Sequence, residues 1–176
     1  MTSWLELTGI YKAKMSAQDF EHQFLRPINE ADLESLRRWK NEHRSRFFYR
    51  EYITRANQNE WYSGYKERTD DHMFNVLASN TDIVGCMGIR WESESSSWDV
   101  YNVIRGSSIY KGSGVMSLGL CELIRFALNK KVAPITLVVL KDNPAVGWYA
   151  RNGFTKLRDD GQGVLMCFNR RNEKES

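Results

Sequence analysis

Apolar residues three and four positions apart predict several helices along the chain. Leu33 begins the first apolar stripe, which predicts a helix running to about Asn41 with Asn29 as its N-cap. A second helix follows a segment rich in arginine and aromatic residues. Asn57 and Asn59 are the two candidate caps of this second helix.

The most continuous apolar stripe lies in the second half of the chain. It predicts a helix from Ser113 to about Asn129, with one apolar face formed by Met116, Leu120, Leu123, Ile124 and Ala127. A short fourth helix is capped by Asp142 or Asn143. It ends at Gly153, which suits a left-handed C-cap.

Strand patterns occupy the intervals between these helices. They cover residues 24–28, 73–78, 83–91, 98–105, 135–140, 154–157 and 163–168. The segment Ile135–Leu140 is apolar on both faces, which is typical of a central strand covered by helices. Gly85 and Gly88 indicate a bulge or a close backbone approach in their strand.

The resulting order, β-α-α-β-β-β-α-β-α-β-β, predicts an α+β domain. Its sheet should be mixed but mostly antiparallel, with one central βαβ crossover and flanking helices. A length of 176 residues favours one domain. We place that domain at residues 24–169, between an N-terminal arm (1–23) and a charged, frayed tail (170–176).

Composition limits the classes of function. The net charge of +3 (25 basic minus 22 acidic residues) fits a small anionic ligand. The basic residues are scattered among acids, which makes nucleic acid an improbable partner. No apolar run reaches the ~20 residues of a membrane span, and the N-terminus does not resemble a signal peptide. These features predict a soluble cytoplasmic protein.

Cysteine and histidine usage argues against a disulfide scaffold or a metal site. The chain has three cysteines, an odd number, without a C-x-x-C pair: Cys86, Cys121 and Cys167. Their apolar surroundings favour small buried side chains in a reducing compartment. The histidines are isolated from one another at His22, His43 and His72. No metal is therefore expected.

A glycine turn precedes the third predicted helix and is the first candidate binding element. It reads Lys111-Gly-Ser-Gly-Val-Met116. Free N–H groups at a helix N-terminus, with a lysine beside them, form an anion site for which phosphate is the usual ligand. Such turns are, however, more often plain loop geometry. The G-x-x-x-x-G-K-[ST] and G-x-G-x-x-G patterns are both absent.

A second segment makes the glycine turn more specific. It runs from Asn143 through Ala145 and Tyr149 to Gly153-Phe154. The turn and this segment together resemble the GCN5-related N-acetyltransferase (GNAT) family, whose signature is (Arg/Gln)-x-x-Gly-x-(Gly/Ala) followed by an Asn-x-x-Ala-x-x-x-Tyr-x-x-x-Gly-Phe-like stretch. The resemblance covers about residues 25–168. It departs from the pattern at Lys111, which replaces Arg or Gln, and at Met116, which replaces a small residue.

The resemblance implies acetyl-CoA as the acyl donor. Its pantetheine arm would lie between the 98–105 and 135–140 strands. Main-chain groups near Val103 and Ile104 would bind the arm from one side and Asn143 from the other. The pyrophosphate would lie on the glycine turn, formed by Lys111, Gly112, Ser113, Gly114, Val115 and Met116.

Tyr149 is the general acid that the resemblance implies. A phenol of pKa ~10 can protonate a departing thiolate whose conjugate acid has a pKa of ~8.5. The structural alternative is a ring that packs in the core. The attacking amine must be neutral, so a base or a water relay is needed. Asp99 is favoured because its strand should line the cleft, while Tyr101, Glu60, His72 and Glu92 remain candidates; His72 is expected at a strand entrance, away from the cleft.

The arginine–aromatic segment, residues 43–52, is the candidate acceptor region. Its sequence, HRSRFFYREY, combines Arg44, Arg46 and Arg50 with Phe47, Phe48 and Tyr49. Such a cluster suits a phosphorylated or nucleotide-bearing acceptor. The alternative is a plain helix connection with solvated arginines.

Two short motifs indicate one branch of the family. Trp39-Lys40-Asn41 and Gln58-Asn-Glu-Trp61 resemble the ribosomal-protein and nucleotide-sugar amine acetyltransferases. The implied acceptor is a primary amine on a small molecule, a nucleotide-linked sugar or a protein N-terminus. The alternative is a catalytically degenerate acyl-CoA-binding or adaptor domain. A monomer or a homodimer is expected.

Overall fold

The computed structural model describes residues 23–79 and 81–169, which form one seven-stranded sheet with helices on both faces. The predicted arm up to residue 22 and the predicted tail lie outside the described residues. In chain order the elements are β1 (Leu25–Pro27), α1 (Leu33–Glu42), α2 (Arg55–Lys66), β2 (Asp71–Leu77), β3 (Ile83–Glu92), β4 (Ser97–Arg105), α3 (Val115–Lys130), β5 (Ile135–Leu140), α4 (Ala145–Arg151), β6 (Phe154–Asp160) and β7 (Gly163–Phe168). The predicted order of elements and the α+β class are confirmed.

The strands lie in the order β1-β2-β3-β4-β5-β7-β6. Every neighbouring pair is antiparallel except β4 and β5, which are parallel and are connected by α3. This is the predicted central βαβ crossover. Because α3 and α4 both connect strands by right-handed crossovers in the same direction across the sheet, they lie on the same face.

The two faces carry separate apolar clusters. On the α3 and α4 face, the larger cluster includes Ile89, Trp98, Leu120 and Phe154. On the opposite face, α1 contributes Trp39 and its neighbours to a smaller cluster. Successive side chains along β2, β3 and β4 point to opposite faces of the sheet, which separates the two clusters.

The first predicted cap is confirmed and the second is wrong. The Asn29 side chain accepts a hydrogen bond from the N–H of Ala31 (3.0 Å), at the start of a 3₁₀ turn that leads into α1. In α2 the N-cap is Thr54, whose hydroxyl accepts from the N–H of Asn57 at 3.1 Å. The Asn57 side chain accepts in turn from the N–H of Thr54, so the pair forms a capping box in which Asn57 is the third helical residue. Asn59 lies inside the helix.

The expectation that helices cover both faces of β5 is also wrong. Ile135, Leu137 and Val139 are buried on the α3 and α4 face. Val138 points to the other face and is 40% exposed. On that face the Phe48 ring, which belongs to the arginine–aromatic segment, lies close to Val138 and Gly163.

Candidate active site

The site is organised by a bulge in β4. Gly88 of β3 pairs with Tyr101, whereas Cys86 pairs with Ile104, so two β4 residues oppose one residue of β3. The extra residue lies at Asn102–Val103, and Asn102 has a left-handed backbone (φ 48°). The glycine pattern in β3 anticipated this close approach. A Cβ added at Gly85 would collide with the carbonyl oxygen of Ile104.

After Asp99, and before the bulge is reached, β4 and β5 separate. They pair only at Trp98 with Ile135 and at Asp99 with Thr136. In the described part of the chain, the facing sides of residues 100–105 and 137–140 have no strand partner. A wedge-shaped cleft therefore opens toward the carboxyl ends of the two strands, where β4 leads into the glycine turn and β5 leads to Asn143.

The glycine turn presents free donors at the open end of this cleft. Gly112 and Gly114 have left-handed backbones (φ 79° and 81°), and the space where a Cβ would project is open at both. Among the described residues, the N–H groups of Gly112, Gly114 and Met116 have no hydrogen-bond acceptor. They lie at the N-terminus of the 16-residue helix α3. The turn therefore has the donors and the dipole of an anion site.

Met116 packs toward the sheet. Its sulfur lies 3.1 Å from the Cβ position of Gly85, and the side chain rests against the larger apolar cluster. Ser113 is held by its hydroxyl, which donates to the Tyr110 carbonyl at 2.7 Å. The packing of Met116 against the sheet and the hydrogen bond of Ser113 thus hold the turn in place.

Asn143 lies across the cleft from the bulge and is already engaged. Its Oδ1 accepts from the N–H of Ala145 (2.9 Å), at the start of α4. Its Nδ2 donates to the carbonyl of Arg46 at 3.1 Å. The amide that the resemblance assigns to the pantetheine arm therefore holds the arginine–aromatic segment in this structure.

Tyr149 is buried on α4, with 7% of its surface exposed. Its ring makes edge contacts with Trp148 (5.0 Å between centroids) and Phe154 (5.7 Å). Burial, and then the negative charge of Asp99, raise the pKa of the phenol well above its usual value. The ring thus packs in the core while the hydroxyl keeps its proton at neutral pH.

Asp99 lies where β4 and β5 part. It forms an ion pair with Arg90, whose Nη2 is 2.9 Å from Oδ2. Burial raises the pKa of Asp99 above its ordinary value, although the charge of Arg90 opposes the shift. A half-buried carboxylate with a raised pKa is a better proton acceptor than a fully solvated one.

The other candidate bases are less well placed. Burial raises the pKa of the Tyr101 phenol, and the hydrogen bond that its hydroxyl donates to Asp71 raises that pKa as well. His72 packs edge-on against Phe126 at 4.9 Å, on the α3 face and away from Asp99, as expected. Glu60 is exposed on α2, and Glu92 pairs with Arg90 at 3.0 Å near the end of β3.

Sequence reasoning missed a lysine at the bulge. Lys40 of α1 donates from Nζ to Oδ1 of Asn102 at 2.6 Å, and Nζ lies 3.3 Å from the centroid of the Phe47 ring. Burial lowers the pKa of Lys40 to about 8. In the sequence, Lys40 belongs to the Trp39-Lys40-Asn41 motif of the first predicted helix. Its partner could not be foreseen, because only the bulge turns the Asn102 side chain toward α1.

The arginine–aromatic segment crosses the same face of the sheet. It is anchored through Arg46 to Asn143 and through Phe47 to Lys40. Ile53 follows the segment directly and is held by the Asn41 side chain, which accepts from its N–H (2.8 Å) and donates to its carbonyl (2.9 Å). Within the described chain, its three arginines are exposed and none forms an ion pair: Arg44, Arg46 and Arg50.

Comparison with known families identifies the class of protein to which this fold belongs. Residues 23–155 match the sequence model of the acetyltransferase (GNAT) domain. Since this match covers most of the chain, the protein belongs to the GNAT acetyltransferase family. No curated protein matches the chain by sequence.

Solved structures with the same fold include several acetyltransferases. An aminoglycoside acetyltransferase in complex with coenzyme A is 18% identical, with a TM-score of 0.69 over 84% of this chain and 94% of the other. Spermidine N-acetyltransferase from Vibrio cholerae, in complex with CoA and spermine, is 17% identical, with a TM-score of 0.68 over 81% and 91%. Ribosomal-protein-alanine N-acetyltransferase from Brucella melitensis is 18% identical, with a TM-score of 0.65 over 81% and 97%.

No helix in residues 23–79 and 81–169 has the length and apolar character needed to cross a membrane. No cluster of three or more His, Cys, Asp or Glu side chains there could hold a metal ion.

Proposed function

We propose that the protein transfers an acetyl group from acetyl-CoA to a primary amine by direct attack of the amine on the thioester. The observation that carries the proposal is the cleft between β4 and β5, which opens from Asp99 and Thr136 toward the free N–H groups of the glycine turn. The acceptor is an amine on a small molecule, a nucleotide-linked sugar or a protein N-terminus.

The donor would bind along this cleft. Its pyrophosphate would accept hydrogen bonds from Gly112, Gly114 and Met116, with Lys111 as a neighbouring cation. Its amide-containing arm would pair with the unpartnered backbone of β4 near Val103 and Ile104. On the opposite side the arm would compete with the Arg46 carbonyl for the Asn143 amide, so donor binding would loosen one anchor of the arginine–aromatic segment.

The reaction needs a proton acceptor and a proton donor. Asp99 takes a proton from the ammonium form of the acceptor, directly or through water, and leaves a neutral amine. The amine nitrogen forms a bond to the thioester carbon, and the carbon–sulfur bond breaks. Tyr149 donates its proton to the CoA thiolate and regains one from the new amide nitrogen by way of solvent. The raised pKa of Asp99 suits a group that takes up a proton from the acceptor. The raised pKa of Tyr149 suits a group that keeps its proton until the thiolate leaves.

The first test is the reaction itself. Purified protein is incubated with acetyl-CoA and a panel of primary amines, and both the release of CoA thiol and the mass of the acetylated product are measured. Release of thiol that depends on one class of amine supports the proposal. Acetyl-CoA binding without transfer to any amine would instead favour the degenerate binding domain.

Replacing Asp99 with Asn should lower kcat by about 100-fold. The substitution removes the proton acceptor and leaves Arg90 paired with Glu92. The acid limb of the kcat–pH profile should lie above the pKa of an ordinary aspartate, because activity falls as Asp99 becomes protonated, and this limb should vanish in the variant. Glu92→Gln is the matched control, since it removes the other carboxylate on Arg90; a larger loss in this control than in Asp99→Asn would assign the base to Glu92.

Replacing Arg46 and Arg50 together with Ala should raise the KM for a phosphate-bearing acceptor by about tenfold. Two charge-assisted contacts of an exposed site are removed, while the Arg46 backbone that binds Asn143 remains. The KM for acetyl-CoA should not change. Arg38→Ala is the control, because Arg38 is an exposed arginine on α1 outside the segment. Equal increases in both KM values would show that the segment does not select the acceptor.

A further inference from the structure

Lys40 is a lysine without a counter-ion beside the β4 bulge. In the described part of the chain no carboxylate pairs with it. Its contacts are the Asn102 side chain and the Phe47 ring. The nearby titratable group that affects it is the Cys86 thiol, whose own pKa burial raises to about 12, so the thiol is neutral.

The path of the donor brings its acyl group close to Lys40. This step rests on the proposed function. An arm that enters at the glycine turn passes Ile104 and Val103 before it reaches Asn102. The cleft closes at Asp99, three residues further, which is about 10 Å along a strand. The acyl group at the tip of the arm therefore comes to lie in the stretch that begins at Asn102, where the Nζ of Lys40 is 2.6 Å from the Asn102 side chain.

We propose that Lys40 is itself an acetyl acceptor and that the protein acetylates Lys40 from bound acetyl-CoA when no other amine is present. The neutral Nζ attacks the thioester carbon, an N–C bond forms and the C–S bond breaks. CoA leaves as the thiolate and takes up the proton that Nζ loses. The products are acetyl-lysine and CoA thiol, and no further reactant is needed.

The surroundings of Lys40 make its amine reactive at neutral pH. With a pKa of about 8, roughly 10% of Lys40 is neutral at pH 7, compared with about 0.04% of a lysine of ordinary pKa. A lower pKa also makes an amine a weaker nucleophile. We therefore expect an advantage over exposed lysines of at least about tenfold in rate, to which proximity to the bound thioester adds.

The test follows acetylation of the whole protein with acetyl-CoA and no added amine. Peptide mass spectrometry gives the occupancy of Lys40 and of Lys66, an exposed lysine on α2, over time. Lys40→Arg keeps a cation for Asn102 and Phe47 but has no transferable amine, and Lys66→Arg is its matched control. Protein unfolded in urea measures the purely chemical reaction.

The expected result is acetylation of Lys40 at least tenfold faster than of Lys66 in the folded protein, at equal rates in urea, and abolished only by Lys40→Arg. Equal rates in the folded protein would overturn the proposal. The same preparations are assayed with the amine panel. Lys40 that stays unmodified with acetyl-CoA alone, together with CoA release that depends on an added amine, overturns self-acetylation and leaves the proposed function standing. If acetyl-CoA neither binds nor reacts, both are overturned.

Discussion

Replacement of Tyr149 with Phe is expected to lower kcat by two orders of magnitude or more, in line with the ~10²–10⁴-fold contribution of a positioned acid. The substitution removes the proton that neutralises the CoA thiolate. It preserves the ring that packs between Trp148 and Phe154, so the fold should be retained. The affinity for acetyl-CoA, measured by calorimetry, should stay within about twofold of wild type.

The pH profile gives a second readout for Tyr149. Burial and Asp99 hold the pKa of the phenol well above that of an ordinary tyrosine. The acid therefore stays protonated as the pH rises to ~10, and Tyr149 should impose no alkaline limb on kcat below that pH. Tyr62→Phe on α2 is the control for loss of a hydroxyl group. An unchanged kcat in Tyr149→Phe would refute the assigned role and leave Tyr149 as a core residue.

The second large effect is expected from Gly85→Ala, which should lower the free energy of unfolding by about 3 kcal/mol. This value is the upper end of the usual cost of adding a methylene to a well-packed core. The added methyl group would meet the Ile104 carbonyl oxygen, a backbone atom that cannot rotate away, and the Met116 sulfur at 3.1 Å. The strain falls on the bulge of β4. Urea unfolding should therefore show a lower midpoint, and acetyl-CoA affinity should fall as well.

Gly64→Ala is the matched control for this substitution. Gly64 lies in α2, and the nearest atom to an added Cβ is a nitrogen of the flexible Arg68 side chain at 3.7 Å. Alanine there should stabilise the protein by up to ~1 kcal/mol through helix propensity. Similar unfolding midpoints for the two variants would show that the bulge can shift without loss and that its geometry does not define the cleft.

The fold was accessible from the sequence because its signals are local. The periodicity of α3, the alternation in β2 and the short segment from Asn143 to Phe154 each depend on neighbours a few residues away. The cap of α2 was misassigned because Thr54, Asn57 and Asn59 are all good capping residues. The choice among them depends on where the preceding chain becomes extended, which is set by the contacts of Asn41 with Ile53.

The site was less accessible because its parts meet across the sheet. Asp71, Arg90 and Asp99 lie side by side on β2, β3 and β4 only because the register of those strands places them so. That register shifts at the bulge, which no local pattern locates to one residue. The contact of Lys40 with Asn102 joins residues 62 positions apart. Sequence spacing carries no information about such a pair.

The separation of β4 from β5 gives the sheet a second pair of edges, in its middle rather than at its rims. Unpaired strand edges are templates for pairing with other chains, and natural proteins cover or blunt them. Here the arginine–aromatic segment lies beside this inner pair and is fastened to both sides, through Lys40 and through Asn143. We therefore expect the segment that would select the acceptor to shield these edges from pairing with other chains as well. Lengthening or shortening it to change specificity would alter solubility at the same time.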